Sequence, residues 1–291
     1  MCIRDSNRRH AKQHLSLGND EIEDLDLWLF LLAQARDGIS LNRITIRQPS
    51  KICWSDLCPF GLGGFSLSGQ AWRIQIPESS PIYGVDIANN VLEFLAMMVA
   101  IWLLLLECDD SDQDCSMALG DNKSAIGWLY KSSRLPPDSP YYKPVQLISR
   151  KLARLVTASS HCLASQHIQG EQNTVSDLLS FAGHVRGYPH PLAPDFPSDS
   201  VLTQRFHSHL HQLIPGHFVI SPLPSEISSF VILALQTTES SLIQNKKKRT
   251  KNETESGAAG SHSAAKPALT LTLSSLSYST EKPNSSPERF S

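Results

Sequence analysis

The apolar positions change period along the chain, and each change predicts an element. Between Asn19 and Ser50 the residues Ile22, Leu25, Trp28, Leu29 and Leu32 recur at helical spacing. Asn19 or Asp20 is placed to cap that helix, and Asp20, Glu21, Glu23 and Asp24 suit its positive end. From residue 51 the pattern turns strand-like. Lys51–Ser55, with Ile52 and Trp54 on one face, reads as a short strand, followed by a glycine-rich turn at Gly61, Gly63 and Gly64. Phe65–Leu67 and Ala71–Ile76 read as two further strands joined at Ser68-Gly69. Asn89 then opens a long helix reaching about Glu107. Its apolar run Phe94–Leu106 is thirteen residues long, too short to span a bilayer and therefore expected in a core.

Beyond an acidic loop at 109–114, Ser116–Leu119 reads as a buried strand and Asn122–Lys131 as a helix stopped by Pro136, Pro137 and Pro140. Tyr141–Ser159 predicts another helix, His161–Ile168 a strand and Thr174–Ser180 a short helix. Strands gathered early and helices later imply an α/β chain, a five-stranded mixed sheet with flanking helices. The expected organisation is a non-native or disordered start at 1–18, since Met1 to Ser6 resembles a translated sequencing adaptor, and a helical connector at 19–50. The main domain follows at 51–185, then a loosely structured extension at 186–240 with an apolar patch around Phe218–Leu235. A Ser/Thr-rich tail at 241–291 is expected to be disordered.

Composition narrows the class without choosing a function. The 291 residues are 41% hydrophobic and 19% charged, as in globular proteins, with a net charge of -2. That balance excludes nucleic-acid binding by bulk basic charge, although a local basic groove survives such averaging. The six cysteines, Cys2, Cys53, Cys58, Cys108, Cys115 and Cys162, include no pair two residues apart, which removes zinc-knuckle and redox spacings. Scattered cysteines and no secretory signal lead to an expected intracellular location, cytoplasmic or nuclear, with no membrane partner. The run Lys246–Lys251 is import-like, or a solvated charge run. His207, His209 and His211 alternate like three imidazoles on a strand, with nothing nearby to complete a metal set.

Four acids change the picture. Asp56 ends the first strand, Glu93 sits in the most hydrophobic helix, Asp121 ends a buried strand and Asp177 opens the last helix. Asp121 and Asp177 also fit turn-forming or dipole-answering roles. Glu93 does not, because Ala96, Met97, Ala100 and Ile101 make its own stripe apolar. An ionised carboxylate there is costly unless paired, protonated or bound to metal. Only Lys123 lies within these motifs as a counter-charge. Hard oxygen donors without His or Cys favour Mg²⁺ or Mn²⁺.

Together these segments resemble the ribonuclease H domain of retroelement Pol polyproteins. Trp54-Ser55-Asp56 resembles the strand-one aspartate motif, and Asn90-Val91-Leu92-Glu93-Phe94-Leu95-Ala96 the Asn-x-x-Glu-Leu-x-Ala helix. Gly120-Asp121-Asn122-Lys123-Ser124-Ala125 resembles Ser-Asp-Asn-x-x-Ala, and the stretch His167–Ser180 is similar to the closing Gly-x-x-Asn-x-x-Ala-Asp-x-Leu-Ser-Arg. The resemblance covers about 50–182. Ser176 replaces the usual Ala, Phe181 stands where Arg is common, and Cys58 where a small Ser or Gly often sits. No Tyr-x-Asp-Asp polymerase motif occurs, so the chain looks like a Pol fragment without its polymerase domain, with 19–50 as the connection to a reverse transcriptase.

The resemblance implies a ribonuclease-H-like fold and cleavage of the RNA strand of RNA–DNA hybrids. Asp56, Glu93, Asp121 and Asp177 would hold two Mg²⁺ (or Mn²⁺) ions about 3.5–4 Å apart. One ion would activate a water and the other stabilise the leaving 3′ oxygen. His167 is the implied proton shuttle, or else a plain strand-end histidine. Asn90, Asn122, Lys123, Lys131 and Arg134 are the candidate backbone contacts, with the hybrid read by shape and 2′-hydroxyls. Two alternatives stay open. A catalytically silent connection domain predicts a missing carboxylate. A 3′–5′ exonuclease predicts Asp-x-Glu in the first strand, where Asp56-Leu57-Cys58 has none.

Overall fold

The structure is a computed structural model. It describes residues 17–36, 38, 48–85, 89–108, 115–132, 135–159, 161–180, 204, 208, 211–212 and 219–258, with 246–258 by backbone only. Residues Met1–Lys247 form one compact unit and Lys248–Ser291 a second, of which residues to Ala258 are described, as helix.

The described elements run α1 (Asn19–Ala35), β1 (Lys51–Cys58), β2 (Gly61–Ser66), β3 (Gln70–Gln75), α2 (Asn89–Leu106), β4 (Cys115–Gly120), α3 (Lys123–Lys131) and α4 (Tyr142–Ala158). They continue with β5 (Cys162–His167), a 3₁₀ turn (Gly170–Gln172), α5 (Thr174–Ser180), β6 (Val219–Ile220) and α6 (Ser225–Ala258). The fold is mixed α/β, a six-stranded sheet in the order β5-β4-β1-β2-β3-β6 flanked by helices. β1, β2 and β3 pair antiparallel, whereas β1 with β4, β4 with β5 and β3 with β6 are parallel.

Two expectations from the sequence are corrected in the sheet. The glycines Gly61, Gly63 and Gly64 form no turn; they are the body of β2, paired with Cys58, Asp56 and Ser55. The chain reverses instead at Pro59 and Phe60. The sheet also has six strands rather than five. Val219 and Ile220 come from the stretch expected to be loose and add to the β3 edge, through Val219 N–H to Gly69 O at 2.9 Å and Ser221 N–H to Ala71 O at 3.0 Å.

α2 is hydrophobic almost all round because most of it is covered, its last residue Leu106 being exposed. Twelve of its residues, Val91 to Leu104, are buried, as expected of a helix with no polar face. One side meets Cys53, Leu62 and Trp72 of the sheet, and the others meet Val145, Ile148 and Leu152 of α4 and Ala125 of α3. α6 closes the remaining side. Its Ile227, Val231, Ala234, Leu235 and Thr238 are buried at helical spacing, and Phe230 meets Trp102 with ring centres 6.0 Å apart. Lys151 holds both, lying 4.0 Å over the Trp102 ring and 2.8 Å from Glu226. The extension expected to be loose thus supplies part of the core, and its helix runs past residue 240 into the expected tail.

α1 forms where the spacing puts it but turns the other way. It is preceded by Gly18 as cap rather than Asn19 or Asp20. Arg150 of α4 grips its acidic side, Nε to Asp24 Oδ1 at 2.8 Å, Nη1 to Glu23 and Nη2 to the Asp20 carbonyl at 3.1 Å. Leu27, Phe30 and Leu31 are half-buried, with Arg154 over the Phe30 ring. The stripe Ile22, Leu25, Trp28, Leu29 and Leu32 faces outward, each 44–65% exposed.

Candidate metal centre

Parallel pairing brings two strand ends together. In register Trp54 lies beside Leu119, so Asp56, two residues on, and Asp121, just past β4, emerge at the same edge of the sheet. Glu93 comes down on them from the start of α2. One carboxylate oxygen from each of Asp56, Glu93 and Asp121 lies within 4.8 Å of the others. Among the described residues this is the one such group of His, Cys, Asp or Glu.

The site is an acidic cluster held at the margin of the core. Asp56 is only 6% exposed, while Glu93 and Asp121 are half-buried. Burial first, then the charges of Asp56 and Asp121, push Glu93 up to about 9. Burial likewise lifts Asp56 to about 7, with further push from Asp121 and Asp177, against a backbone hydrogen bond at Leu57 and the Ser180 hydroxyl. The ion pairs among the described residues lie elsewhere, Arg150 with Glu23 and Asp24 and Lys151 with Glu226. Two carboxyls driven toward their neutral forms at neutral pH, with no ion pair to a basic side chain among the described residues, suit a site built around a cation.

A second helix braces the cluster from the opposite face of the sheet. Ser180 Oγ of α5 donates to Asp56 Oδ2 at 3.2 Å or to the Asp177 carbonyl at 3.0 Å. Arg73 of β3 donates from Nε to the Leu179 carbonyl at 3.0 Å and from Nη2 to that of Ser180 at 3.2 Å. Cys58 Sγ donates to the same Ser180 oxygen at 3.3 Å, and Asn173 Nδ2 to the Ser55 carbonyl at 3.0 Å. This close seat exists because β2 is bare here. A Cβ on Gly63, the partner of Asp56, would stand 2.5 Å from Ser180 N and 2.7 Å from Leu179.

The sequence pattern did not single out Ser180, Arg73 or Asn173 as supports. The available signal was Gly61-x-Gly63 on one face of a strand, which marks a close backbone approach.

The fourth acid stands apart. Asp177 lies outside the three-carboxylate group, on an exposed position of α5. Its carboxyl is nonetheless raised by partial burial and by Asp121, and it in turn acts on Asp56. α5 packs on the far face of the sheet from α2, so its acid approaches from the rim. His167, the last residue of β5, is exposed and donates from Nε2 to the Asp121 carbonyl at 2.9 Å. Asn122 is occupied as the N-cap of α3, accepting from Ser124 N–H and Ala125 N–H. It also donates to Asn90 Oδ1 at 3.1 Å, tying the start of α3 to that of α2. Lys123 and Lys131 are exposed at opposite ends of α3. Arg134, His207 and His209 lie outside the described residues.

No family model, no curated protein and no solved structure matches the chain. The site's own chemistry therefore carries the functional reading. Asp56, Glu93 and Asp121 could hold a metal ion. Three carboxylates with no nitrogen or sulfur donor among them fit a hard divalent cation.

Proposed function

We propose that the chain is a ribonuclease-H-like, metal-dependent endonuclease that hydrolyses the RNA strand of RNA–DNA hybrids, as part of a retroelement Pol protein. One observation carries this reading. Three acids from separate motifs, on β1, α2 and the end of β4, converge within 4.8 Å, and the ion pairs among the described residues involve none of them. The order of the four acidic motifs along the chain supports it, and the mixed sheet with helices on both faces is compatible with that fold.

Bound there, Mg²⁺ or Mn²⁺, as one ion or a pair, would polarise the scissile phosphate and lower the pKa of a bound water. The chain's own part is placement. Asp56 and Glu93 would give up their protons to hold the charge, beside Asp121. Asp177 adds a fourth acid from the rim, and the exposed His167 ring, fixed by the Asp121 carbonyl, is placed to carry a proton. Asn90, Lys123 and Lys131 are exposed for contact with a nucleic-acid backbone, whereas Asn122 acts through the cap. The partner is the hybrid duplex, with a reverse transcriptase domain linked through the connector, in an intracellular setting.

The test is cleavage of a labelled RNA–DNA hybrid in Mg²⁺ by the full chain and by Asp121→Asn. Cleavage by the native chain alone supports the reading. Equal cleavage by both, or by neither, removes it, and hybrid binding without cleavage selects the silent connection domain.

A further inference from the structure

We infer that the outward face of α1 is a self-association surface, and that two copies of this chain pair through it as antiparallel helices. The inference is independent of the nuclease reading. Its first support is the inversion of α1: a helix normally turns its large apolar residues inward, yet this one is anchored by charge. Arg150 takes Glu23, Asp24 and the Asp20 carbonyl, leaving Ile22, Leu25, Trp28, Leu29 and Leu32 at 44–65% exposure along one side. A contiguous apolar stripe on an already ordered helix marks an interaction site.

The spacing chooses the kind of partner. Ile22, Leu25, Leu29 and Leu32 follow the 3-4-3 intervals of a helix-pairing seam. That seam is symmetric about Leu27, so a two-fold axis there sets Leu25 against Leu29 of the second copy and Ile22 against Leu32. A surface that fits itself under a two-fold rotation is what a homodimer requires.

Charge chooses the direction. Asp20, Glu21, Glu23, Asp24 and Asp26 all lie in the N-terminal half, while Leu27–Arg36 contains no acid and ends in Arg36. Antiparallel pairing lays each acidic half against the acid-free half of the other copy, with Asp26 beside Trp28. Parallel pairing would stack the acids on one another, which opposes association. The seam is only two heptads long, so the dimer is expected to dissociate in a roughly micromolar range.

Sedimentation velocity on the full chain over a concentration series, up to about 100 µM, tests the inference. The native chain should shift from monomer to dimer, and Leu25→Glu/Leu29→Glu should stay monomeric while keeping its far-UV circular dichroism and melting temperature. A second measurement stands if that variant fails to fold. On mild oxidation, an equimolar mixture of Leu25→Cys and Leu29→Cys chains should give disulfide-linked heterodimers well above the native background, and Leu25→Cys alone should not cross-link efficiently. A native chain monomeric throughout would mean that another polypeptide or another part of this chain covers the stripe, and would overturn the inference. So would a dimer that survives the folded glutamate variant, or efficient cross-linking of the single Leu25→Cys variant.

Discussion

Replacing Glu93 by glutamine should make the metal-free protein more stable, by an amount that grows with pH. In the fold Glu93 is raised from the ordinary 4.5 to about 9 by burial and by Asp56 and Asp121. Between those values the folded protein keeps a proton that the unfolded chain has released. Stability is therefore fully present below about pH 4.5 and is withdrawn as pH rises, by about 1.4 kcal/mol per unit. At pH 7 the loss through Glu93 is roughly 3 kcal/mol, still increasing toward pH 9, whereas at pH 5 it is within about 1 kcal/mol. Glutamine has the same shape as the protonated acid and does not ionise, so Glu93→Gln escapes that loss. Urea unfolding in EDTA, followed by tryptophan fluorescence at pH 5, 7 and 8.5, reads the difference. The two curves should nearly coincide at pH 5 and separate by roughly 3 kcal/mol at pH 7. A gap that does not change with pH, or a variant less stable than the native chain at pH 8.5, would refute the account of Glu93 as an acid that needs a cation to ionise. Added Mn²⁺ should then raise the melting temperature of the native chain and leave that of Glu93→Gln nearly unchanged.

Other consequences follow from the same cluster and its brace. Because Asp56 and Glu93 must lose protons to bind metal, Mn²⁺ affinity should rise from pH 6 to pH 8 and binding should release protons. Calorimetry in two buffers of different ionisation enthalpy detects that release, and its absence would exclude these carboxyls as ligands. Ser180→Ala removes the hydroxyl donor of Asp56 and should cost about 1 kcal/mol, while pushing the Asp56 carboxyl further up and weakening Mn²⁺ binding. Gly63→Ala places a methyl 2.5 Å from the Ser180 backbone nitrogen. Backbone cannot yield as a side chain can, so a loss of roughly 1–3 kcal/mol is expected, with faster amide exchange in α5 than elsewhere in the sheet.

The acidic site was legible from sequence to the extent that each acid was locally unreasonable. Glu93 in an apolar stripe has no structural use, and Asp56 and Asp121 need only parallel pairing to meet, although β1 runs two residues beyond Asp56 to Cys58 rather than ending there as the pattern suggested. Asp177 was less legible, because a helix-start aspartate serves equally well in solvent, and its exposed position on α5 is where that ambiguity lies. The brace was hidden for a different reason. Glycines in sequence signal a turn as readily as a bare strand face, and only the position of Leu179 and Ser180 above Gly63 distinguishes the two. Arg73, far along the chain from the carbonyls it binds, carried no local sign of its role.

The two flanking helices show what periodicity can and cannot decide. In α6, Ile227, Val231, Ala234, Leu235 and Thr238 keep helical spacing, but the polar composition around them masked it, so a core element read as a loose extension. α1 poses the opposite difficulty. Its apolar residues fall on two sides, Ile22, Leu25, Trp28, Leu29 and Leu32 on one and Leu27, Phe30 and Leu31 on the other, and spacing alone favours the larger set for burial. Charge settled the matter. One guanidinium on α4 reaches Glu23, Asp24 and the Asp20 carbonyl together; partial burial works against the Arg150 charge, but the Asp24 hydrogen bond and the charges of Asp24, Glu23 and Asp20 together outweigh it. Arg150→Ala should therefore release α1 without opening the core. Proteolysis or amide exchange should find α1 freed while α2 and the sheet keep their protection; unchanged protection of α1 would show that Leu27, Phe30 and Leu31 suffice to hold it.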